Sequence, residues 1–256
     1  MSPWREIEFT TQMEREGDSL CEMLSLERNV SMNKSAYDNG LRKQCMSLPD
    51  LCEPQIQGIL SGLENALTEE ELKNTGSILI TGCGDSSVAA RAGVAAFQHF
   101  ANAFGFTIES VSAMDAARYH AFLPANNPRT LVIGISASGG PARMVEVLRR
   151  ANHYGCMTLA ITNKPDSPVG REAKRTLVVN TPSFPTPNPG LRNYYASIMA
   201  LYLLAARMGE VMGRSPKGAV SAMAEAIRQH TKDYAIQLDS IDDSMFSLAK
   251  DWQDFP

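Results

Sequence analysis

Five short apolar stretches, each followed by helical periodicity, constrain this chain more than any other feature. They are SILITGCG (77–84), TIESVSA (107–113), TLVIGIS (130–136), MTLAIT (157–162) and RTLVVN (175–180). Segments of helical character lie between them at 85–105, 113–122, 140–155 and 167–173. Strands that are apolar throughout, without strict alternation, must be buried on both faces. Strands alternating with helices therefore predict an α/β fold: a five-stranded parallel sheet in three layers, with helices on both sides. Right-handed crossovers leave few topologies. In the flavodoxin-like order 2-1-3-4-5, the first and third strands are neighbours at the reversal of strand order. Ligands of such sheets bind beyond the carboxyl ends of the strands at that point.

The flanks divide the chain into an N-terminal extension (1–50) of short helices and polar stretches, the α/β domain (51–212), and a C-terminal helical linker (213–256). Ile56, Ile59, Leu60 and Leu63 mark a helix before the first strand, and TPSFPTPNPG (181–190) must be a loop. Segment 191–209 is apolar nearly all round, with no charge between Arg192 and Arg207. One face can pack on the sheet; the other needs the helices at 217–250 or a second copy of the chain. A homodimer is the expectation. The apolar side of 217–250 is read as Val220, Met223, Ile227, Tyr234, Leu238, Ile241, Met245 and Leu248.

Composition excludes several classes. The net charge is −4 and no basic run exceeds two residues, so no nucleic-acid partner is expected. No apolar run reaches the roughly 18 residues of a membrane span, and MSPWREIEF does not have the pattern of a secretion signal. Five cysteines without a CxxC fit reduced thiols and a cytoplasmic location, and four scattered histidines suggest no metal site. No cofactor is expected.

Two strand-to-helix turns carry the chemistry. GCGDSS follows the first strand and SASGGP the third. Helix N-termini present unpaired N–H groups and the positive end of the dipole, glycines let an anion approach the backbone, and hydroxyls add donors. Gly84, Ser86, Ser87, Ser136, Ser138, Gly139 and Gly140 thus form a candidate phosphate site built without lysine. The plainer reading makes Ser86 and Ser138 helix caps. GCGDSS lacks the third glycine of a dinucleotide fingerprint, and no acid ends the second strand, which argues against NAD. TNKPD (162–166) resembles a guanine-reading motif, but no GxxxxGK[ST] loop accompanies it; it reads as a turn. Cys83 is either a nucleophile near a helix N-terminus or a small core residue. Asp85, Asp115 and His120 are titratable groups near strand ends, with surface or capping roles as the plainer alternative.

These segments resemble the SIS (sugar isomerase) domain. ILITGCGDSS is similar to its first loop, LVIGISASGGPARMVEVLRRAN to its phosphate loop and helix, LAITNKPDSPV to its fourth strand and Asn-containing turn, and NPGLRNYYASIMALYLLA to its closing helix. The resemblance spans about 45–210 and implies a sugar phosphate as the small-molecule partner. It matches Ser136 and Ser138 to the phosphate-binding serines, Gly139 to the glycine after them, Ser86 to a first-loop serine, and Asn163 to the turn. Pro141 and Asp85 depart from it, each standing where the synthase-like motif has a threonine. The layout resembles the first half of two-domain proteins such as the isomerase part of glucosamine-6-phosphate synthase and the fructoselysine-6-phosphate deglycases. On that resemblance, a second domain would begin where the sequence stops. The catalytic groups of the synthase-type isomerase lie mostly in that second domain, so no catalytic residue is assigned. The expectation is an aldose–ketose or amino-sugar phosphate enzyme, of isomerase, deglycase or aminotransferase type. The alternative is a non-catalytic phosphosugar sensor or regulatory module.

Overall fold

The computed structural model describes residues 33–122, 129–186 and 190–252. Residues 1–32 of the expected N-terminal extension lie outside them. Two short helices, α1 (Lys34–Tyr37) and α2 (Gly40–Met46), lead into α3 (Leu48–Ala66) and α4 (Glu69–Asn74). The alternating series follows: β1 (Ser77–Gly82), α5 (Asp85–Ala101), β2 (Thr107–Ser112), α6 (Ala113–Arg118), β3 (Thr130–Ile135), α7 (Ala142–His153), β4 (Met157–Thr162), α8 (Pro168–Glu172) and β5 (Arg175–Val178). Two long helices, α9 (Leu191–Val211) and α10 (Ala219–Trp252), end the described chain. The five strands form one parallel sheet in the order β2-β1-β3-β4-β5, as the sequence predicts.

The sheet is buried on both faces, but unequally. Ile78, Ile80, Leu131, Ile133, Ile135, Leu159, Ile161 and Leu177 point into the larger core with α3, α5, α9 and the first half of α10. The opposite face offers Leu79, Val132 and Ala160 to α6, α7 and α8. Small strand residues there make room for Met144 and Leu148 of α7, both fully buried. Alternate side chains point to opposite faces, so one continuous apolar strand supplies both cores.

Several boundaries differ from the sequence reading. Helix α5 stops at Ala101, because Asn102 turns to extended backbone at ψ 144. Gly105 lies in the following turn toward β2 and does not stop the helix. The region 217–250, read as one or two helices, is covered from Ala219 onward by the single helix α10. Its expected apolar side is buried at Ile227 and Leu238, while Ile241, Met245 and Leu248 are exposed.

The second face of α9 is covered from within the chain. Leu203, Leu204, Ala205 and Ala206 are all fully buried, and α9 shares its core with α3, α5 and Ile227 of α10. The Tyr195 hydroxyl and Thr231 Oγ1 are 2.7 Å apart across the α9–α10 contact. This covering removes the burial argument for a homodimer. Helices α5 and α9 approach closely where Gly93 faces Leu201: a Cβ on Gly93 would lie 2.8 Å from Leu201 Cδ1. Among the described residues, no helix is long and apolar enough to cross a membrane.

Leu201 is fully buried at this junction. Truncating a buried leucine loses transfer energy and leaves a cavity. Leu201→Ala is therefore expected to lower the unfolding free energy by about 2–5 kcal/mol in urea titrations. Ile236→Ala, at a side chain 82% exposed, is expected to change it by no more than about 0.5 kcal/mol.

Candidate functional site

The parallel register brings the carboxyl ends of β1, β3 and β4 level: Gly82 pairs with Ile135, and Ile135 with Ile161. Beyond that edge lies a cavity of about 420 Å³. Pockets that hold small ligands span roughly 300–1,000 Å³. Its walls come from the turn after β1 (Cys83, Asp85, Ser86), the turn after β3 (Ser136, Ala137, Ser138, Pro141), the turn after β4 (Asn163, Lys164) and the start of α9 (Gly190, Asn193, Tyr194, Ser197). Three helices of 17, 12 and 21 residues therefore begin at one cavity. Each contributes the positive end of its dipole.

The turn after β3 is held from several sides. The Ser136 amide donates to the Ile161 carbonyl at 3.0 Å, extending the ladder by one residue. Ser136 Oγ, almost fully buried, accepts from the Gly139 amide at 3.1 Å. Ser138 Oγ accepts from the Gly140 amide at 3.4 Å. Both hydroxyls keep their own proton to donate. The Val169 amide of α8 donates to the Gly139 carbonyl at 3.1 Å. Gly139 has φ 66, and a Cβ there would lie 1.9 Å from Ser167 Oγ. Only glycine fits this position.

The predicted site residues fall into two groups. Ser86, Ser136, Ser138 and Asn163 line the cavity; Gly84, Gly139 and Gly140 lie in the turns without lining it, and Ser87 lies within α5 away from the cavity wall. Ser86 is not the cap of α5, since Gly84 holds that position and no side chain caps it. Asn163 ties parts of the wall together. Its Nδ2 donates to Asn193 Oδ1 at 2.9 Å, and its Oδ1 accepts from the Thr181 amide at 3.0 Å. Asp115 bonds instead to Ser112 at the start of α6, and His120 packs edge-on against Phe122; neither lines the cavity. Partial desolvation raises the Cys83 thiol above its ordinary value, which disfavours a thiolate nucleophile.

Lys164 adds a lysine to a cavity whose expected site residues included none. It is exposed, lines the cavity, and pairs with no carboxylate among the described residues. Its amide is fixed by Thr162 Oγ1 at 3.1 Å. Gly190, Asn193, Tyr194 and Ser197 were also missed. The start of α9 is fastened from the N-terminal helices: buried Gln44 donates to the Thr186 carbonyl, and its Oε1 accepts from the Arg192 amide at 3.3 Å.

A family model described as the SIS domain matches residues 71–207, more than half of the chain. The chain belongs to the SIS domain family. A glutamine–fructose-6-phosphate aminotransferase (isomerizing) of Methanosarcina mazei is 27% identical over 206 residues, covering 77% of this chain and 32% of that protein. The enzyme of the same name from Helicobacter pylori is 27% identical over 193 residues, covering 74% and 31%. The chain thus spans about a third of the length of these relatives. Among solved structures, the C-terminal domain of glucosamine-fructose-6-phosphate aminotransferase from Francisella tularensis superposes with a TM-score of 0.64 at 18% identity, covering 82% of this chain and 58% of that one. At such identity the likeness speaks for the fold.

The geometry of the turn after β3 is testable at adjacent glycines. Gly139→Ala forces a left-handed alanine against Ser167 and is expected to cost about 2 kcal/mol or more in chemical denaturation. At Gly140, a Cβ would meet only Ser138 Oγ, at an ordinary 3.8 Å. Gly140→Ala is expected to stay within about 0.5 kcal/mol of the parent.

Proposed function

We propose that this SIS domain binds a phosphorylated sugar, with the phosphate on the turn after β3, in a reaction of the aldose–ketose or amino-sugar phosphate type. The observation that carries the reading is the convergence of the Ser136 and Ser138 hydroxyls, the N-termini of α7 and α9, and the unpaired Lys164 ammonium on one cavity. Hydroxyl donors and helix dipoles suit phosphate oxygens, and the lysine adds a full charge. The names of the aminotransferase relatives agree with this chemistry without deciding it.

A specific observation favours a second reading, a phosphosugar-binding module without turnover. Shifting a proton next to a carbonyl requires a base in contact with the substrate. Asp85 is the sole carboxylate among the described residues lining the cavity, and no histidine lines it. The chain by itself is therefore expected to bind without rapid turnover. A robust interconversion of glucose 6-phosphate and fructose 6-phosphate by the purified chain would contradict this.

Calorimetry with glucose 6-phosphate and fructose 6-phosphate, against the free sugars, tests the binding itself. The phosphates are expected to bind and the free sugars not. Ser138→Ala and Lys164→Ala are each expected to weaken binding about tenfold, the effect of losing roughly one charge-assisted bond. Equal response to phosphorylated and free sugars, or unchanged affinity in both variants, would overturn the proposal.

A further inference from the structure

The cavity is electrically polarised, and its polarity follows from strand order. Strands β1 and β4 flank β3 on opposite sides. Neighbouring strands lie about 4.8 Å apart, so the turns after β1 and β4 stand roughly 10 Å apart across the turn after β3. The β4 turn supplies Lys164 and the β1 turn supplies Asp85. Both side chains are exposed, and neither forms an ion pair or side-chain hydrogen bond among the described residues.

Asp85 is the first residue of α5. Its carboxylate offsets the positive end of that helix dipole. The α5 end of the cavity therefore does not attract a phosphate, and the carboxylate repels one. The ends of α7 and α9 carry no such acid in their first turns. A phosphate is thereby directed to the β3–β4 side, onto Ser136, Ser138 and Lys164. The part of the ligand away from the phosphate then meets Asp85. A neutral sugar offers that carboxylate only hydroxyls, whereas a protonated amine offers a full charge and N–H donors.

We propose that Asp85 is a specificity-determining residue that makes the cavity prefer phosphate esters also carrying a protonated amine over phosphates of neutral sugars. This rests on the phosphosugar reading above and adds to it the charge of the ligand's other end. The placement of Asp85 and Lys164 on opposite flanks of the serine loop carries it.

The experiment is calorimetric titration of the full chain at neutral pH with three probes: glucosamine 6-phosphate, N-acetylglucosamine 6-phosphate and glucose 6-phosphate. The amine of the first is protonated; acetylation removes that charge while keeping a nitrogen at the same carbon. Glucosamine 6-phosphate is expected to bind about tenfold more tightly than the other two, the increment of roughly one charge-assisted contact. Asp85→Asn is expected to bring the three within about twofold of one another, and to bind glucose 6-phosphate more tightly than the parent because a repulsion is gone. A structural role for Asp85 would not move the two sugars in opposite directions. Asp85→Ser is the second neutral variant if the first fails to melt cooperatively. Equal binding of all three probes by the parent chain, or a preference that survives both neutral variants, would overturn the assignment of Asp85 and leave the phosphate site standing. Failure of the parent to bind any of the three would remove the phosphate reading itself.

Discussion

In a parallel sheet every strand ends at the same edge, and the helix after it starts there. That geometry fixes what this molecule can do. The turns after β1, β3 and β4 are brought level by backbone hydrogen bonding, and the helices that leave them present dipoles of one sign to a common space. The strand order reverses between β1 and β3, so α5 and α7 depart to opposite faces and leave a crevice between their first turns. The start of α9 closes a third side, held by Gln44 and by the Asn163–Asn193 contact. The site is thus an outcome of sheet topology before any particular side chain is considered.

Much of this was legible in the sequence because buried parallel strands leave a strong signal. The run Leu131–Ile135 cannot be half-exposed, and crossover handedness leaves few strand orders, the observed one among them. SASGGP was legible for a similar reason: two hydroxyls and two glycines at one helix start exceed what a turn needs. The structure assigns those residues different tasks. Ser136 and Ser138 face the cavity, while Gly139 fits its left-handed backbone against Ser167. Asn163 was named as a binding residue on resemblance, and its amide is found joining two segments of the wall.

What was not legible depends on packing across long sequence separations. TNKPD read as a turn, and it is one, but its position at the carboxyl edge places Lys164 in the cavity. Asn193 lies in the first turn of α9, which is held at the Arg192 amide by Gln44, a residue of the N-terminal helices that carries no motif. The cover over α9 was equally hidden. A helix apolar on all sides states that it must be buried, not by what, and α10 answers from the same chain.

The central claim is that one cavity, at the carboxyl edge beside β3, receives a phosphate. Amide chemical-shift mapping with isotope-labelled protein and glucosamine 6-phosphate tests it most directly. The account predicts the largest perturbations at the amides of Ser138, Gly140 and Asn193, reproduced in part by inorganic phosphate. Perturbations centred elsewhere, with none at the serine loop, would contradict it.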